Sequence, residues 1–66
     1  PIYFTPQELN IDKGTRIRIH GGPFDGIEGI FMKVKGAKAK RLVIELPNTL
    51  AVAGEVNPDL IEILSE

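Results

Sequence analysis

Residues 14–30 read GTRIRIHGGPFDGIEGI and contain the pattern that decides the fold of this chain. Their first part alternates polar and apolar side chains, in the order Arg16, Ile17, Arg18, Ile19 and His20. Since successive side chains of a strand point to opposite faces, the two isoleucines share one face and the polar residues share the other. The alternation predicts a half-buried β-strand at residues 15–19.

A glycine-rich loop ends this strand. Glycine adopts backbone angles that other residues avoid, and proline fixes its φ angle and donates no backbone hydrogen bond, so residues 21–23 predict a turn. Phe24 follows at the tip of the loop. Gly26 and Gly29 lie on either side of the next isoleucine, which predicts that the chain re-enters the sheet with strong twist or a bulge.

Alternation continues towards the C-terminus and predicts five strands in all, at residues 15–19, 27–35, 41–46, 50–56 and 61–64, with a turn at 58–60. When no amphipathic helix covers a sheet of short strands, closure into a barrel is the favoured arrangement, because it pairs the backbone groups of edge strands that would otherwise be exposed. We therefore expect an all-β fold, a small five-stranded antiparallel barrel. Its interior would be filled by Ile17, Ile19, Ile30, Met32, Val34, Leu42, Ile44, Leu46, Val52, Val56 and Ile61.

The first ten residues follow a different pattern. Residues 2–4 are apolar and have no alternating partner strand. Thr5 and Glu8 have the spacing of a capping box, with a proline at the first helical position, so we expect one helical turn at most. We predict that residues 1–10 are a linker or N-terminal arm and that residues 11–66 are the folded domain.

Length and composition restrict the class of protein. Sixty-six residues make one small domain, which buries only about 60% of the surface of its unfolded chain. No cysteine is present, so disulfides and thiolate metal sites are excluded and the apolar core must supply the stability. No apolar run approaches the ~20 residues of a membrane-spanning helix, and no signal-peptide pattern opens the sequence. We expect a soluble, cytoplasmic domain without a membrane partner.

Side chains for enzyme chemistry are scarce. His20 is the only histidine, and Ser65, beside the terminus, is the only serine. A single imidazole on the polar face of a strand is far more often a surface residue than a ligand or a proton shuttle. Asp25 and Glu28 flank a turn, where carboxylates commonly accept hydrogen bonds from nearby backbone amides. We therefore expect no enzymatic activity and no cofactor or metal.

Charge is unevenly distributed, although the net charge is only −1. Five basic residues follow one another with no acid between them: Lys33, Lys35, Lys38, Lys40 and Arg41. From residue 42 to the end there are five acids and no base. This distribution is compatible with a local basic patch or with a solvated hairpin tip, and it argues against a protein built mainly to coat nucleic acid.

The order of strand, Gly-Pro-Phe loop and strand resembles the KOW motif, and most closely the C-terminal domain of NusG-type transcription elongation factors. The residues that carry the resemblance are Gly14, Ile17, Ile19, Gly22, Pro23, Phe24 and Gly29, with isoleucines in place of the family's usual valines. The motif covers about a quarter of the chain, and the strand pattern after it also fits. The resemblance implies an SH3-like barrel of the KOW type.

In NusG-type domains the phenylalanine of this loop belongs to the surface that binds a ribosomal protein of the small subunit or the termination factor Rho. The resemblance thus implies a docking role for Phe24, with Ile11 and Ile27 as further contacts that would serve equally well as core residues. It also implies that the fourth strand offers an edge to a partner strand. RNA polymerase would be a partner through an N-terminal domain outside this sequence. General elongation factors and specialised antiterminators share such a domain, and nothing in the sequence separates them.

RNA binding is the alternative function, because KOW barrels also occur in ribosomal proteins of the large subunit. A domain of that kind needs a strongly basic surface, whereas the pI here is about 5.8. The candidate RNA contacts are Lys33, Lys35, Lys38, Lys40 and Arg41. Phe31 is the only aromatic residue among them, and we expect it either to close one end of the barrel or to be exposed for a partner.

Overall fold

The computed structural model describes residues 2–54 and 56–65 and shows an all-β architecture. Two single-turn 3-10 helices lie between strands, η1 (Ile11–Lys13) and η2 (Pro58–Leu60). The strands are β1 (Ile2–Phe4), β2 (Thr15–Ile19), β3 (Glu28–Met32), β4 (Arg41–Leu46), β5 (Thr49–Val52) and β6 (Ile61–Ser65). Within these described residues, no helix is long and apolar enough to cross a bilayer.

The predicted strands agree with the observed ones to different degrees. β2 and β4 have the predicted bounds, and the predicted turn before the last strand is η2. Asn57 caps η2, since its side-chain oxygen accepts a hydrogen bond from the Asp59 amide at 2.9 Å. β3 is shorter than predicted because it ends at Met32, and β5 ends at Val52 instead of continuing to residue 56.

The six strands form one antiparallel sheet in the order β1-β5-β4-β3-β2-β6. Two expectations are corrected here, because the described strands number six and the sheet is not closed: no pairing joins β1 to β6 in the part of the chain that the structure describes. The additional strand is β1, from the segment expected to be a linker or arm. Its three residues pair with β5, Ile2 opposite Val52 and Phe4 opposite Leu50.

The rest of the N-terminal segment is also held to the sheet. Half of the predicted capping box forms, since the Glu8 carboxylate accepts a hydrogen bond from the Thr5 amide at 2.9 Å. The Glu8 amide donates to the Thr5 backbone carbonyl at 3.0 Å, which closes one turn. Leu9, which follows, is buried at 6% exposure and belongs to the core. β1 and Leu9 therefore attach the two ends of this segment to the rest of the fold, whereas residues 5–8 between them are exposed.

Gly29 has a different role from the predicted twist or bulge. It lies in β3 opposite Ile17 of β2, in regular register. A Cβ atom at this position would come within 2.6 Å of the Val43 carbonyl oxygen and 2.7 Å of a Leu42 methyl group, so only glycine allows β3 and β4 to approach this closely. The register shift that the sheet does contain lies between Arg16 and Ile17, where β2 pairs with β6.

The buried side chains form two clusters instead of one barrel interior. The first cluster, here called the β5-side cluster, consists of Leu9, Ile30, Met32, Val34, Val43, Leu50 and Val52. The second, the β2-side cluster, consists of Ile17, Ile19, Leu42 and Val56. Leu42 and Val43 are adjacent in β4 and both 0% exposed, so this central strand is buried on both faces.

The burial of β4 on both faces explains part of the difference between the predicted interior and the observed core. Val43, Leu50 and Leu9 are buried, although the prediction does not place them in the interior. Leu46, which the prediction places in the interior, is 45% exposed. Strict alternation applies only to a strand with one solvated face, and β4 does not have one at Leu42 and Val43. The other two deviations are Ile44 and Ile61, which are half-buried against the β2-side cluster.

Candidate functional site

The loop between β2 and β3 carries the candidate docking residue, and its glycines fix its path. Gly21, Gly22 and Gly26 have φ angles of 89°, 71° and 84°, in the left-handed region that residues with a Cβ atom rarely adopt. Backbone hydrogen bonds close the loop at its base, since the Gly26 amide donates to the Ile19 carbonyl at 2.7 Å and the Ile19 amide donates to the Ile27 carbonyl at 2.9 Å. The tip is thus held on a hairpin base.

Asp25 stabilises this conformation from within the loop. Its Oδ1 atom accepts a hydrogen bond from the Gly21 amide at 2.5 Å, as expected for a carboxylate beside a turn. On the outside, the loop rests on η2: the His20 amide donates to the Leu60 carbonyl at 2.8 Å. The Leu60 methyl groups lie about 3.3 Å and 3.6 Å from the positions where Cβ atoms of Gly22 and Gly21 would be. The loop is therefore preorganised by contacts from both sides.

Phe24 does not project freely from this loop. It is half-buried and packs against the β2-side cluster, so one side of the ring is covered and the rest of its surface remains accessible. Ile27, also half-buried, packs against the same cluster, and its amide donates to the Phe24 carbonyl at 3.0 Å. Ile11 packs against the β5-side cluster. The structure therefore brings Phe24 and Ile27 together and places Ile11 elsewhere.

The edge that was expected to accept a partner strand is covered. The fourth predicted strand corresponds to β5 (Thr49–Val52), whose other side is paired with β1 from Leu50 to Val52. The exposed edges are the outer sides of β1 and β6, and both carry exposed apolar residues: Ile2 (63%) and Tyr3 (58%) on β1, and Ile63 (60%) on β6. A strand could add to β5 only after β1 had moved.

Three of the predicted basic residues meet in one hollow of about 460 Å³, between η1 and the chain around β3. Lys33, Lys35 and Lys40 line it, together with Lys13 from η1, which sequence reasoning missed. Arg41 and Lys35 line a second hollow beside Phe4, and Lys38 is an exposed residue of the loop before β4. Only the fold brings Lys13 close to the others, because some twenty residues separate it from Lys33 in the sequence.

The polar face of β2 carries a series of ion pairs. Arg16 pairs with Glu45 at 3.0 Å, and Arg18 pairs with Glu28 at 3.0 Å and Glu62 at 3.5 Å. The Glu28 hydrogen bond is the main cause of a raised Arg18 pKa. His20 Nε2 hydrogen-bonds to the Glu62 carboxylate, and this bond, reinforced by the charge of Arg18, lowers the pKa of Glu62.

These charges pair with one another instead of converging on a ligand. Among residues 2–54 and 56–65, no three histidine, aspartate or glutamate side chains lie close enough together to hold a metal ion. His20 is exposed and engaged with Glu62, as expected for a histidine on the polar face of a strand. The candidate site is therefore the apolar surface at Phe24 and Ile27.

Comparisons with known proteins give no independent assignment. No protein-family model, no curated protein and no solved structure matches this chain.

Proposed function

We propose that this chain is a docking domain of a transcription regulator, the C-terminal KOW domain of a NusG-like factor that acts in elongation, antitermination or termination. The single observation that carries the proposal is the preorganised Gly22-Pro23-Phe24 loop between β2 and β3, which presents a half-buried phenylalanine. Its partner would be a ribosomal protein of the small subunit or Rho. RNA polymerase would bind to a domain preceding residue 1 in the longer protein.

The geometry of Phe24 supports a docking role in physical terms. Aromatic residues are frequent interface hot spots because they bury a large area at a small loss of side-chain entropy. A ring that is already held on one side by the β2-side cluster loses less conformational freedom on binding than a free one. Ile27 extends the apolar surface next to it. Ile11 is left out of this surface because it packs against the other cluster.

The strand topology is compatible with the SH3-like part of the proposal. The five predicted strands occur in the order β5-β4-β3-β2-β6, so the last strand pairs with the first. An SH3-like domain of the proposed type would have this strand order, here in a sheet that is not closed. β1 is an addition at its outer edge. If a flexible linker joins the domain to a polymerase-bound one, the high local concentration makes a weak docking affinity sufficient.

The test is an NMR titration of the ¹⁵N-labelled chain with the ribosomal protein of the small subunit and, separately, with Rho. We expect the largest shifts at residues 21–27. Phe24→Ala should weaken binding by roughly 1 to 4 kcal/mol. Tyr3→Ala is the matched control, because it removes an exposed aromatic ring distant in sequence from the loop. Unmoved loop signals with both partners, or equal losses in the two variants, would contradict the proposal.

Phe24→Ala should also lower the folding stability of the domain, and this loss has to be measured separately from the loss of binding. Because the ring packs on the β2-side cluster, we expect the free energy of unfolding to fall by about 1–2 kcal/mol, less than the 3–5 kcal/mol typical of a fully buried phenylalanine. Phe24→Leu retains much of this packing and should lose less stability. Binding is therefore compared at concentrations corrected for the folded fraction of each variant, obtained from urea unfolding curves.

The alternative, an RNA-binding domain of the ribosomal-protein type, takes second place. A net charge of −1 and the acidic residues after position 42 reduce the attraction of the whole domain for structured RNA. The same titration with an RNA hairpin distinguishes the two functions. Shifts confined to residues 33–41 with the hairpin, together with unmoved signals at residues 21–27 with either protein, would favour this alternative.

A further inference from the structure

The basic hollow described above is a separate surface from the docking loop, since it has no lining residue among positions 20–27. It is lined by Lys13, Lys33, Lys35 and Lys40, together with Glu8, Phe31 and Met32. Glu8 is already engaged, because its carboxylate accepts the Thr5 amide hydrogen bond. The hollow therefore has a clear positive excess in a chain whose net charge is negative.

This positive charge is not neutralised within the described part of the chain. The acids Glu28, Glu45 and Glu62 pair with arginines of β2 or with His20. None of the ion pairs among residues 2–54 and 56–65 includes a lysine of the hollow. The hydrogen bonds with Thr5 are the main cause of the lowered pKa of Glu8, and the charge of Lys35 adds to it. The fold thus separates paired charges on β2 from unpaired lysines at the hollow.

Phe31 adds a flat apolar surface to this charge. One side of the ring packs against the β2-side cluster, and the Lys40 ammonium lies over the ring, 5.9 Å from its centroid. A position that admits a solvated ammonium group also admits an aromatic base, and Lys40 is long enough to turn from the ring to a phosphate. Proteins bind unpaired nucleotides with an aromatic ring surrounded by lysines, because the ring stacks on a base and the lysines pair with phosphates. The carboxylates of an acidic peptide would pair with the lysines but would not stack on the ring.

We propose that this hollow binds single-stranded nucleic acid, with a base stacked on Phe31 and the adjacent phosphates on Lys13, Lys33, Lys35 and Lys40. Its volume of about 460 Å³ suits one or two nucleotides of an unpaired strand and not the width of a duplex. The interaction is independent of base sequence, because lysines and a ring face offer no pattern of hydrogen bonds to base edges. The inference does not rest on the docking function.

Fluorescence anisotropy with labelled octanucleotides tests this inference at 50 mM salt. The probes are U8 RNA, T8 DNA, and a duplex of equal length, with polyglutamate and anionic phospholipid vesicles as competitors. We expect both single strands to bind more tightly than the duplex, and neither competitor to displace them at equal charge concentration. Preferential binding of the duplex, of polyglutamate or of the vesicles would overturn the inference, as would no binding of U8 or T8.

Matched variants separate the hollow from net charge. Lys13→Gln should reduce the slope of log affinity against log salt by about 0.7, the value for one phosphate contact on a single strand. Lys38→Gln changes the charge equally but lies outside the hollow, so it should leave the slope nearly unchanged. Phe31→Leu keeps an apolar side chain on the core and should weaken binding about 5-fold or more through loss of stacking. Equal effects of Lys13→Gln and Lys38→Gln, or an unchanged affinity of Phe31→Leu, would refute the proposed site.

Discussion

Glycines are required in this chain for different structural reasons, and at Gly29 the reason is close contact with the backbone of the next strand. In the loop, three glycines are required by positive φ angles, whereas Gly29 has no such angle and is required by the space between β3 and β4. The presence of a glycine in the sequence does not by itself show which of these two reasons applies. Sequence reasoning found the loop glycines from their neighbours Pro23 and Phe24, but the contact of Gly29 with Val43 exists only after β3 and β4 have paired.

Gly29→Ala should therefore be strongly destabilising. The new methyl group would meet the Val43 carbonyl oxygen, which belongs to the backbone and cannot rotate away, so we expect a loss of about 3 kcal/mol in the free energy of unfolding. Gly54→Ala is the matched control, because nothing lies within 4 Å of its Cβ position and its φ angle is not positive. There we expect a change of less than about 1 kcal/mol. Urea unfolding measures both, and equal values would contradict this role of Gly29.

Glu62 gives a prediction for pH dependence. Its hydrogen bond with His20 and the charge of Arg18 lower its pKa in the folded protein below the ordinary value of 4.5. The stabilisation by the ionised carboxylate is therefore fully present above pH 4.5 and is lost as the pH falls through the lowered pKa. An NMR titration of the Glu62 carboxyl carbon should show this lowered midpoint in the native protein, and His20→Gln should return it towards the ordinary value. A midpoint unaffected by His20→Gln would show that the bond does not persist in solution.

At the scale of single elements, β2 and β4 show why the sequence predicts some strands better than others. β2 has one solvated face with Arg16 and Arg18, so its alternation is complete and both its bounds and its buried face are confirmed. The bounds of β4 are confirmed as well, but its run Leu42-Val43-Ile44 contains no polar residue to mark a solvated face. Its two faces are covered by the two clusters, with Leu42 in one and Val43 in the other, and these clusters exist only in the folded sheet.

β1 was not predicted as a strand, because three residues are too few for a reliable periodic pattern. Its attachment depends on Phe4, which is half-buried against the β5-side cluster, whereas Tyr3 points outwards. Phe4→Ala should lower the free energy of unfolding by about 1–2 kcal/mol, about half the effect of a fully buried ring, and Tyr3→Ala by less than about 0.5 kcal/mol. Faster amide exchange over Thr49–Val52 in Phe4→Ala alone would show that β1 has loosened from β5, and equal exchange in both variants would contradict its anchoring role.

For the whole molecule, the two clusters are joined through one central strand. Leu42 belongs to the β2-side cluster and Val43 to the β5-side cluster, although they are neighbours in the chain. Neither side of the sheet can lose β4 without exposing the other cluster. The candidate docking loop on one side and the basic hollow near the other therefore share a single folded unit.

This arrangement predicts one cooperative unfolding transition. Leu42→Ala and Val43→Ala should each lower stability, by about 2–5 and about 1–3 kcal/mol respectively, and each should shift probes on both sides of the sheet together. NMR signals of Ile17 and Leu50 report on the two clusters during urea unfolding. Different midpoints for the two signals in either variant would show that the clusters unfold separately.

The pairing of β1 with β5 also has a consequence for any partner that adds to β5 as a strand. Because β1 is covalently attached, it competes at a fixed effective concentration, and the partner can bind only the fraction of molecules in which β1 is detached. If detachment requires about 1.4 kcal/mol, about one molecule in ten is open and the apparent affinity is tenfold below the intrinsic one. The N-terminal strand would then set the threshold concentration at which a strand-forming partner is recognised, and single changes at Phe4 would adjust it.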